Sequence, residues 1–395
     1  MAELREVVIV GAARTPIGSF LGTLASVPAP RLAAAAIREA LTRARVSPTA
    51  VDEVILGNVL QAGQGQAPAR QAALYAGLPD STPCWSLNKM CGSGLKAILS
   101  GAQAIRAGDA EVVVAGGMES MSNVPYLAPA VRTGARMGNV ELIDTMLHDG
   151  LLDAYEHIHM GICAEETAAR FGISRERQDE YALLSTQRAQ EAQKKGLFRP
   201  EIVQVDVENK KGERTPVLED EGPKTARPEK IPSLKPAFKK DGTVTAANAS
   251  SINDGAAVVV LSSAERAGRS ELPVLGRLVH WGGAARKPVE FTIAPADAVT
   301  SVLGKAGLRA KDIDLWELNE AFAVVALANM QLLGLDPVNV NVRGGAVVLG
   351  HPIGASGARI VVTLLHALKD HGLRRGLATL CIGGGEALAA VVERP

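Results

Sequence analysis

The run Asn88-Lys89-Met90-Cys91-Gly92-Ser93-Gly94 decides how the rest of this chain is read. It leads into a stretch in which Leu95, Ile98, Leu99, Ala102 and Ile105 recur at helical spacing, the mark of a helix anchored on a core. A cysteine therefore stands just ahead of a helix predicted over 94–106, with Gly108 placed to cap its end. Backbone N–H groups at a helix start are unpaired and draw negative charge. A thiol in that position ionises more readily, and the thiolate is the reactive form. Flanking glycines allow a sharp turn that leaves the sulfur open to a substrate. The same residues also fit a small buried cysteine beside a tight turn, and the motif alone does not separate the two.

Outward from this turn the chain alternates. Val7-Val8-Ile9-Val10 is a continuous apolar run and reads as a buried strand, with a loop expected over 12–18. A helix is predicted over 30–45, a short turn at Pro48, a strand over 51–57, and a helix over 63–76 closed by Gly77. Beyond the nucleophile helix, a strand over 111–115 runs into Gly116-Gly117-Met118-Glu119-Ser120. Short strands alternating with helices point to an α/β fold with a mostly parallel sheet. From 121 to 247 the texture is more polar, with one long helix expected from Ser174 to Lys195 and Gly196 as its cap. This region reads as an inserted module that covers a face of the core and carries binding groups.

Alternation resumes with strands expected over 254–261 and 272–279. The last hundred residues then echo the first half. The strand 51–56 matches 313–318, and the helix–strand–glycine succession 94–117 matches helix 356–371, strand 377–382 and Gly383-Gly384-Gly385. The order is that of a duplicated unit, although alternating α/β chains share some self-similarity in any case. Duplication would bring matching loops to one shared site beyond the carboxyl ends of strands. The organisation expected is an N-terminal core half (1–120 plus 248–271), an inserted loop domain (121–247) and a C-terminal core half (272–395).

Bulk composition narrows the function classes. A chain of 395 residues is long enough for two or three domains. Aromatics are only 3% while glycine numbers 40, which favours closely packed helices and backbone-lined turns over a core of large rings. Lys+Arg and Asp+Glu are both 42, so no general attraction to nucleic acid or anionic membrane is expected. No run of about 18 apolar residues predicts a membrane span, and the short N-terminus ahead of the first strand leaves no room for a secretion signal. The cysteines, Cys84, Cys91, Cys163 and Cys381, form no CxxC pair and no metal-like cluster, so neither disulfides nor a metal site is expected. A reducing, cytoplasmic location follows.

Three late segments carry chemistry: Asn319-Glu320-Ala321-Phe322, Gly350-His351-Pro352-Ile353-Gly354-Ala355-Ser356-Gly357, and Cys381-Ile382-Gly383-Gly384-Gly385. A histidine can accept a thiol proton, and a second cysteine can act as acid or base. An amide side chain and exposed backbone N–H groups can hold an oxyanion. Read singly, Asn319 could be a helix cap, His351 a satisfied loop histidine and Cys381 plain core. The glycine triplet lacks the lysine and hydroxyl of a P-loop. Two cysteines and a histidine at equivalent ends of repeated units favour the catalytic reading.

Taken together, these segments, with Arg14-Thr15-Pro16-Ile17-Gly18, Gly116 to Ser122, His159-Met160-Gly161, Asn248-Ala249-Ser250 and Asn253-Asp254-Gly255, resemble the thiolase family over essentially the whole chain. The resemblance implies a five-layered αβαβα fold built from two similar halves with an inserted loop domain. It implies coenzyme A and acyl-CoA as substrates with no permanently bound cofactor, and a homodimer or homotetramer. The His159-Met160 pair and the short loops resemble the biosynthetic, acetoacetyl-CoA type. That type condenses two acetyl-CoA reversibly through an acyl-cysteine. The alternatives are cleavage of longer 3-oxoacyl-CoAs, or a non-catalytic CoA- or lipid-binding protein on the same fold.

By the same resemblance Cys91 is the nucleophile, His351 a base and oxyanion-hole group, and Cys381 the acid/base at the α-carbon. Asn319 holds an oxyanion-hole water, and Gly383 offers a backbone N–H. Leu151, His159, Met160, Lys224, Phe238, Ala246, Ser250, Ala321 and Phe322 fall at coenzyme A positions. Three residues depart from the family pattern: Arg343 where a small polar residue is commoner, Glu386 after the glycine triplet, and Cys163 in place of threonine. Glu386, close to Cys381 in sequence, is expected to raise its pKa and, if it points inward, to disfavour long acyl chains.

Overall fold

The computed structural model describes residues 4–209 and 211–395. The N-terminal half holds strands β1 (Val7–Arg14), β2 (Glu53–Gly57), β3 (Cys84–Leu87), β4 (Val112–Ser120) and β5 (Asn253–Ser263). Its helices are α1 (Ala29–Ala44), α2 (Pro68–Tyr75) and α3 (Ser93–Ala107). Between β4 and β5 lie α4 (Met160–Phe171) and α5 (Arg175–Lys194) among loops. The C-terminal half holds β6 (Gly276–Ala285), β7 (Leu315–Leu318), β8 (Arg375–Ile382) and β9 (Glu386–Glu393), with α6 (Ala294–Ala306), α7 (Ala323–Leu333) and α8 (Ile353–Asp370).

Period-two alternation along the strands sets the layers. Val7 and Ile9 of β1 and Val113 and Ala115 of β4 point into a central core, while Val8, Val10, Val112 and Val114 point outward. The central core is filled by Leu95, Ile98 and Leu99 of α3 and by Ile360, Val361 and Leu364 of α8. The outer face of the N-terminal half packs on α1 and α2. That of the C-terminal half packs on α6, α7 and α4. The two halves of one continuous sheet, with helices outside, between and outside again, make the five layers. The middle layer is tight. A Cβ at Gly117 would lie 1.9 Å from the Gly354 carbonyl, and one at Gly357 would lie 2.4 Å from the Leu95 nitrogen.

The strand order, β7-β8-β9-β6-β1-β5-β4-β2-β3, shows the duplication directly. In each half two strands run parallel (β2 with β4, β7 with β8) and an antiparallel strand follows (β5, β9), then another (β1, β6). Even the edge recurs, since the bridge Trp316↔Val340 stands where β2 pairs β3. Among the described residues, the pairs Val8↔Arg277 and Ile9↔Gly276 join the two halves of the sheet.

The sheet is therefore mixed, which corrects the expectation of a mostly parallel one. β8 and β9 are joined by Gly383–Gly385 alone, far too short for a parallel crossover. Several bounds also move. β1 continues to Arg14 because Gly11–Arg14 pair with Val260–Ala257 after a bulge. The helix expected over 63–76 opens only at Pro68, which follows a left-handed Ala67. The strand expected from 272 begins at Gly276, and the edge strand β3 had no counterpart in the sequence reading.

The region between β4 and β5 is latched to both halves by buried charge. The Arg14 guanidinium donates to Glu201 Oε1 at 2.6 Å and to both oxygens of Asp220 at 2.7 and 2.8 Å. Arg343 is fully buried on the other side of Glu201, donates to the Leu197 carbonyl at 3.0 Å and pairs with Asp370. It thus belongs to this latch and stays out of the substrate cavity.

Candidate active site

The turn ahead of α3 is held by its own side chains. Ser93 Oγ accepts from the Lys89 N–H at 2.8 Å and donates to the Met90 carbonyl at 2.7 Å, while Asn88 Oδ1 accepts from the Met90 N–H at 2.9 Å. Met90 sits at φ 45° in the left-handed region, which swings Cys91 to the surface of a cavity of about 350 Å³. Cys91, His351 and Gly383 line this one cavity together. Of the expected coenzyme A positions, Leu151, His159, Met160, Phe238, Ala246, Ser250, Ala321 and Phe322 are all in its wall. Lys224 is not: it lies in the short helix Glu221–Thr225, half exposed, with its ammonium 2.7 Å from Glu219.

Cys381 and Asn319 stand directly behind the wall. Cys381 is completely buried at the end of β8. Burial pushes its thiol well above the ordinary range, and the nearby Cys91 thiol adds to the effect. Glu386 contributes nothing to that shift, which corrects the expectation placed on it: its carboxylate is ion-paired with Lys89. Cys163 is buried within α4 and also lies outside the cavity wall.

The protonation states differ from the helix-start argument. Burial pushes the Cys91 thiol up to about 11, outweighing the N–H groups of Gly383 and of Cys91 itself, which pull the other way. The helix begins at Ser93, two residues beyond the sulfur, so its dipole acts weakly there. The resting nucleophile is a neutral thiol that needs a base. His351 is that base in form. Burial, then the charge of Arg359, holds it down to about 3, so the imidazole is neutral. Its Nδ1 lies 2.6 Å from Ser356 Oγ, which also contacts the Pro352 carbonyl at 3.0 Å. With the serine hydrogen on that carbonyl, Nδ1–H donates to Oγ, and the free lone pair is on Nε2. Nε2 is buried and has no partner.

Asn319 completes the row behind the imidazole. Its Oδ1 is 3.4 Å from Arg359, itself paired with the buried Glu317 at 3.1 Å, and its Nδ2 is 3.5 Å from His351 Nδ1. Glu119, at the end of β4, braces the other side. Oε1 accepts from Asn58 Nδ2 and the Leu60 N–H, and Oε2 from the N–H groups of Val59 and Gly354. Burial pushes this carboxyl up to about 7 against the pull of its four donors.

The far wall is aromatic and apolar. His159 caps α4 by accepting the Gly161 N–H at 3.0 Å, and stacks on Phe238 with ring centroids 4.6 Å apart. Phe238 meets Phe322 edge-on at 6.1 Å. Met121, Ile252, Phe291 and Ile353 also line the cavity and were not anticipated. Ile353 lies two residues past His351 and Met121 two past Glu119, so closeness to a motif was the available signal. Phe291 sits in the short 3-10 helix Pro288–Ile293, too brief to show a periodic apolar pattern in the sequence.

A thiol, a neutral imidazole with a free nitrogen and backbone N–H groups in one apolar cavity, with a second thiol directly behind its wall, suit acyl transfer through a cysteine thioester. Known proteins agree. The family model "Thiolase, N-terminal domain" matches residues 7–265, and "Thiolase, C-terminal domain" matches 272–394. The acetyl-CoA acetyltransferase of Pseudomonas aeruginosa is 53% identical over 392 residues, covering 99% of this chain and 100% of that protein. That of Chromobacterium violaceum is 54% identical over 391 residues, with the same coverage. The crystal structure of the Bacillus anthracis acetyl-CoA acetyltransferase superposes with a TM-score of 0.97 at 43% identity, covering all of both chains. Acat5 thiolase from Ascaris suum, solved in complex with coenzyme A, gives 0.94 at 46% identity, covering 99% of this chain and 100% of its own. The chain belongs to the thiolase family, among enzymes of the acetyl-CoA acetyltransferase type.

Proposed function

We propose that Cys91 carries the acetyl group in a reversible condensation of two acetyl-CoA to acetoacetyl-CoA and coenzyme A. The observation that carries this reading is the shared cavity of Cys91, the unpartnered Nε2 of His351 and Gly383. Cys91 Sγ attacks the thioester carbonyl carbon as its proton passes to His351 Nε2. The N–H groups of Cys91 and Gly383 receive the oxyanion, each such donor being worth about 3 kcal/mol in a preorganised site. The C–S bond to coenzyme A then breaks, and the departing thiolate takes the Cys381 proton, which leaves Cys381 as a base. A thiol pushed well up by burial suits both roles, because its thiolate is strongly basic.

In the second half-reaction Cys381 removes the α-proton of a second acetyl-CoA. The enolate oxygen faces protonated His351 and a water held by Asn319, and the carbanion attacks the acetyl carbon. The C–S bond to Cys91 breaks, and Cys91 regains its proton from His351. Leu151, His159, Met160, Phe238 and Ala246 of the 121–247 module, with Ser250, Ala321 and Phe322, hold the pantetheine arm. Lys224 is left out of this set.

The assembly we infer is a homodimer or homotetramer. Its support is the exposed apolar surface of Trp85 on edge strand β3 and of Tyr126, Met137 and Leu142 on the 126–144 segment. Four unpaired cysteines support a reducing, cytoplasmic location. No described helix is long and apolar enough to cross a membrane. The test is thiolysis of 3-oxoacyl-CoAs from C4 to C16 with free coenzyme A, run beside Cys91→Ser. Turnover highest at C4 and nearly absent in the variant is expected. Preference for C8 or longer, or activity retained without the thiol, would overturn the reading.

A further inference from the structure

The two backbone donors of the proposed oxyanion hole sit on separate loops, each built around left-handed residues. The nucleophile turn pivots on the left-handed Met90, and Gly383–Gly385 links β8 to β9 with φ of 92° at both Gly384 and Gly385. Two contacts tie these loops together. Inside, Ile382 fills the space over Gly92, so closely that a Cβ at 92 would lie 2.4 Å from its Cδ1. At the rim, the ammonium of Lys89 is paired with the carboxylate of Glu386. Lys89 precedes Cys91 by two residues, and Glu386 follows Gly383 by three. The catalytic groups are thus flanked by an apolar contact below and an ionic one above.

We propose that Lys89 and Glu386 are a positioning pair, whose ion pair pins the nucleophile turn to the glycine hairpin and so sets the spacing of the Cys91 and Gly383 N–H groups. Neither side chain touches the reacting atoms, and neither is in the cavity wall. The inference rests on the reading that those two N–H groups hold the oxyanion. Its energetic signature is specific. The side chains are 30% and 38% exposed, and ion pairs so placed add little to overall stability. Oxyanion-hole geometry is far less forgiving, because misplacement on the scale of 1 Å costs rate steeply. Loss of the pair therefore slows the reaction without unfolding the protein.

The test compares Lys89→Met, Glu386→Gln, the double variant and the charge swap Lys89→Glu/Glu386→Lys in steady-state acetoacetyl-CoA thiolysis, with melting temperatures for each. Each single variant is expected to lose roughly five- to twenty-fold in kcat, with KM within about twofold. Melting temperatures should stay within about 2 °C of the wild type. The double variant should be no worse than either single one, and the swap should recover most of the rate. Single variants with wild-type kcat, additive losses in the double variant, or losses that follow a fallen melting temperature would overturn the proposal. Mass analysis of the Cys91 peptide after exposure to acetyl-CoA separates the two levels. An unacetylated wild type defeats the site reading itself. Wild-type acetylation rates in the variants defeat the positioning pair alone.

Discussion

Replacing Glu119 by glutamine changes one oxygen for an NH2 group and leaves the volume alone. The structure makes that exchange costly. Oε1 receives N–H groups at 2.8 and 3.2 Å and Oε2 receives two at 3.0 Å, so every approach to the carboxylate is taken by a donor. However the amide turns, its NH2 faces two donors. Two hydrogen bonds to a charged acceptor are lost, at about 1.5–3 kcal/mol each. Part of this is recovered because a neutral group no longer resists burial, the effect that pushes the carboxyl up to about 7. A net loss of roughly 2–4 kcal/mol follows. Melting curves of the folded enzyme read it as a drop of roughly 2–5 °C for a chain of this size. Gly354 follows His351 by three residues, and Val59, Leu60 and Ile353 pack beside Cys91, so kcat at a temperature where the variant stays folded should fall at least about tenfold. A melting point within 1 °C of the wild type, with unchanged kcat, would refute the account of Glu119 as a four-donor brace.

Two further outcomes follow from the same geometry. His351 stays neutral down to about 3 in the folded chain. An unfolded histidine takes up its proton near 6.5, so this residue costs the fold about 1.4 kcal/mol per pH unit as pH drops below that value. Glu119 and Glu317, both pushed up to about 7, act with opposite sign. The difference in stability between the wild type and His351→Asn, followed from pH 7 to 5, should therefore carry a one-proton slope below 6.5. Parallel curves would contradict it. Gly161→Ala places a Cβ 2.4 Å from the Phe238 ring and must break its stacking on His159. An aromatic contact of this kind is worth about 0.5–1.5 kcal/mol, so KM for acyl-CoA should rise roughly three- to tenfold with kcat little changed. An unchanged KM would remove the aromatic wall from the binding site.

Legibility from the residues followed locality. The Cys91 turn, helix α3 and the long helix after Ser174 were readable because apolar spacing, caps and glycines lie within one or two turns of each other. The duplication is readable in outline, since a helix, a strand and a glycine run recur in order around β4 and β8. The direction of pairing was not. Nothing in β5 or β9 says whether the neighbouring strand runs with it or against it, and only the three-glycine link between β8 and β9 hinted at a hairpin. Charge pairing over long separations was equally hidden. Glu386 is close to Cys381 in sequence, but its partner is Lys89, 297 residues earlier. Glu119 lies in the middle of the Gly116–Ser122 run, yet its four donors come from the distant loop after β2 and the first turn of α8. The helix-start argument for Cys91 misjudged the sign because burial, a property of the assembled cavity, outweighs a dipole that begins two residues further on.

The central claim is that the Cys91 sulfur, alone of the four in the chain, forms a covalent bond to the acetyl group. Brief exposure to acetyl-CoA, acid quenching and peptide mass analysis tests it without reference to turnover. The account predicts one acetyl group per chain on the peptide containing Cys91, abolished in Cys91→Ser and much slowed in His351→Asn. An acetyl group found on Cys381 or on no cysteine, with condensation still proceeding, would contradict it.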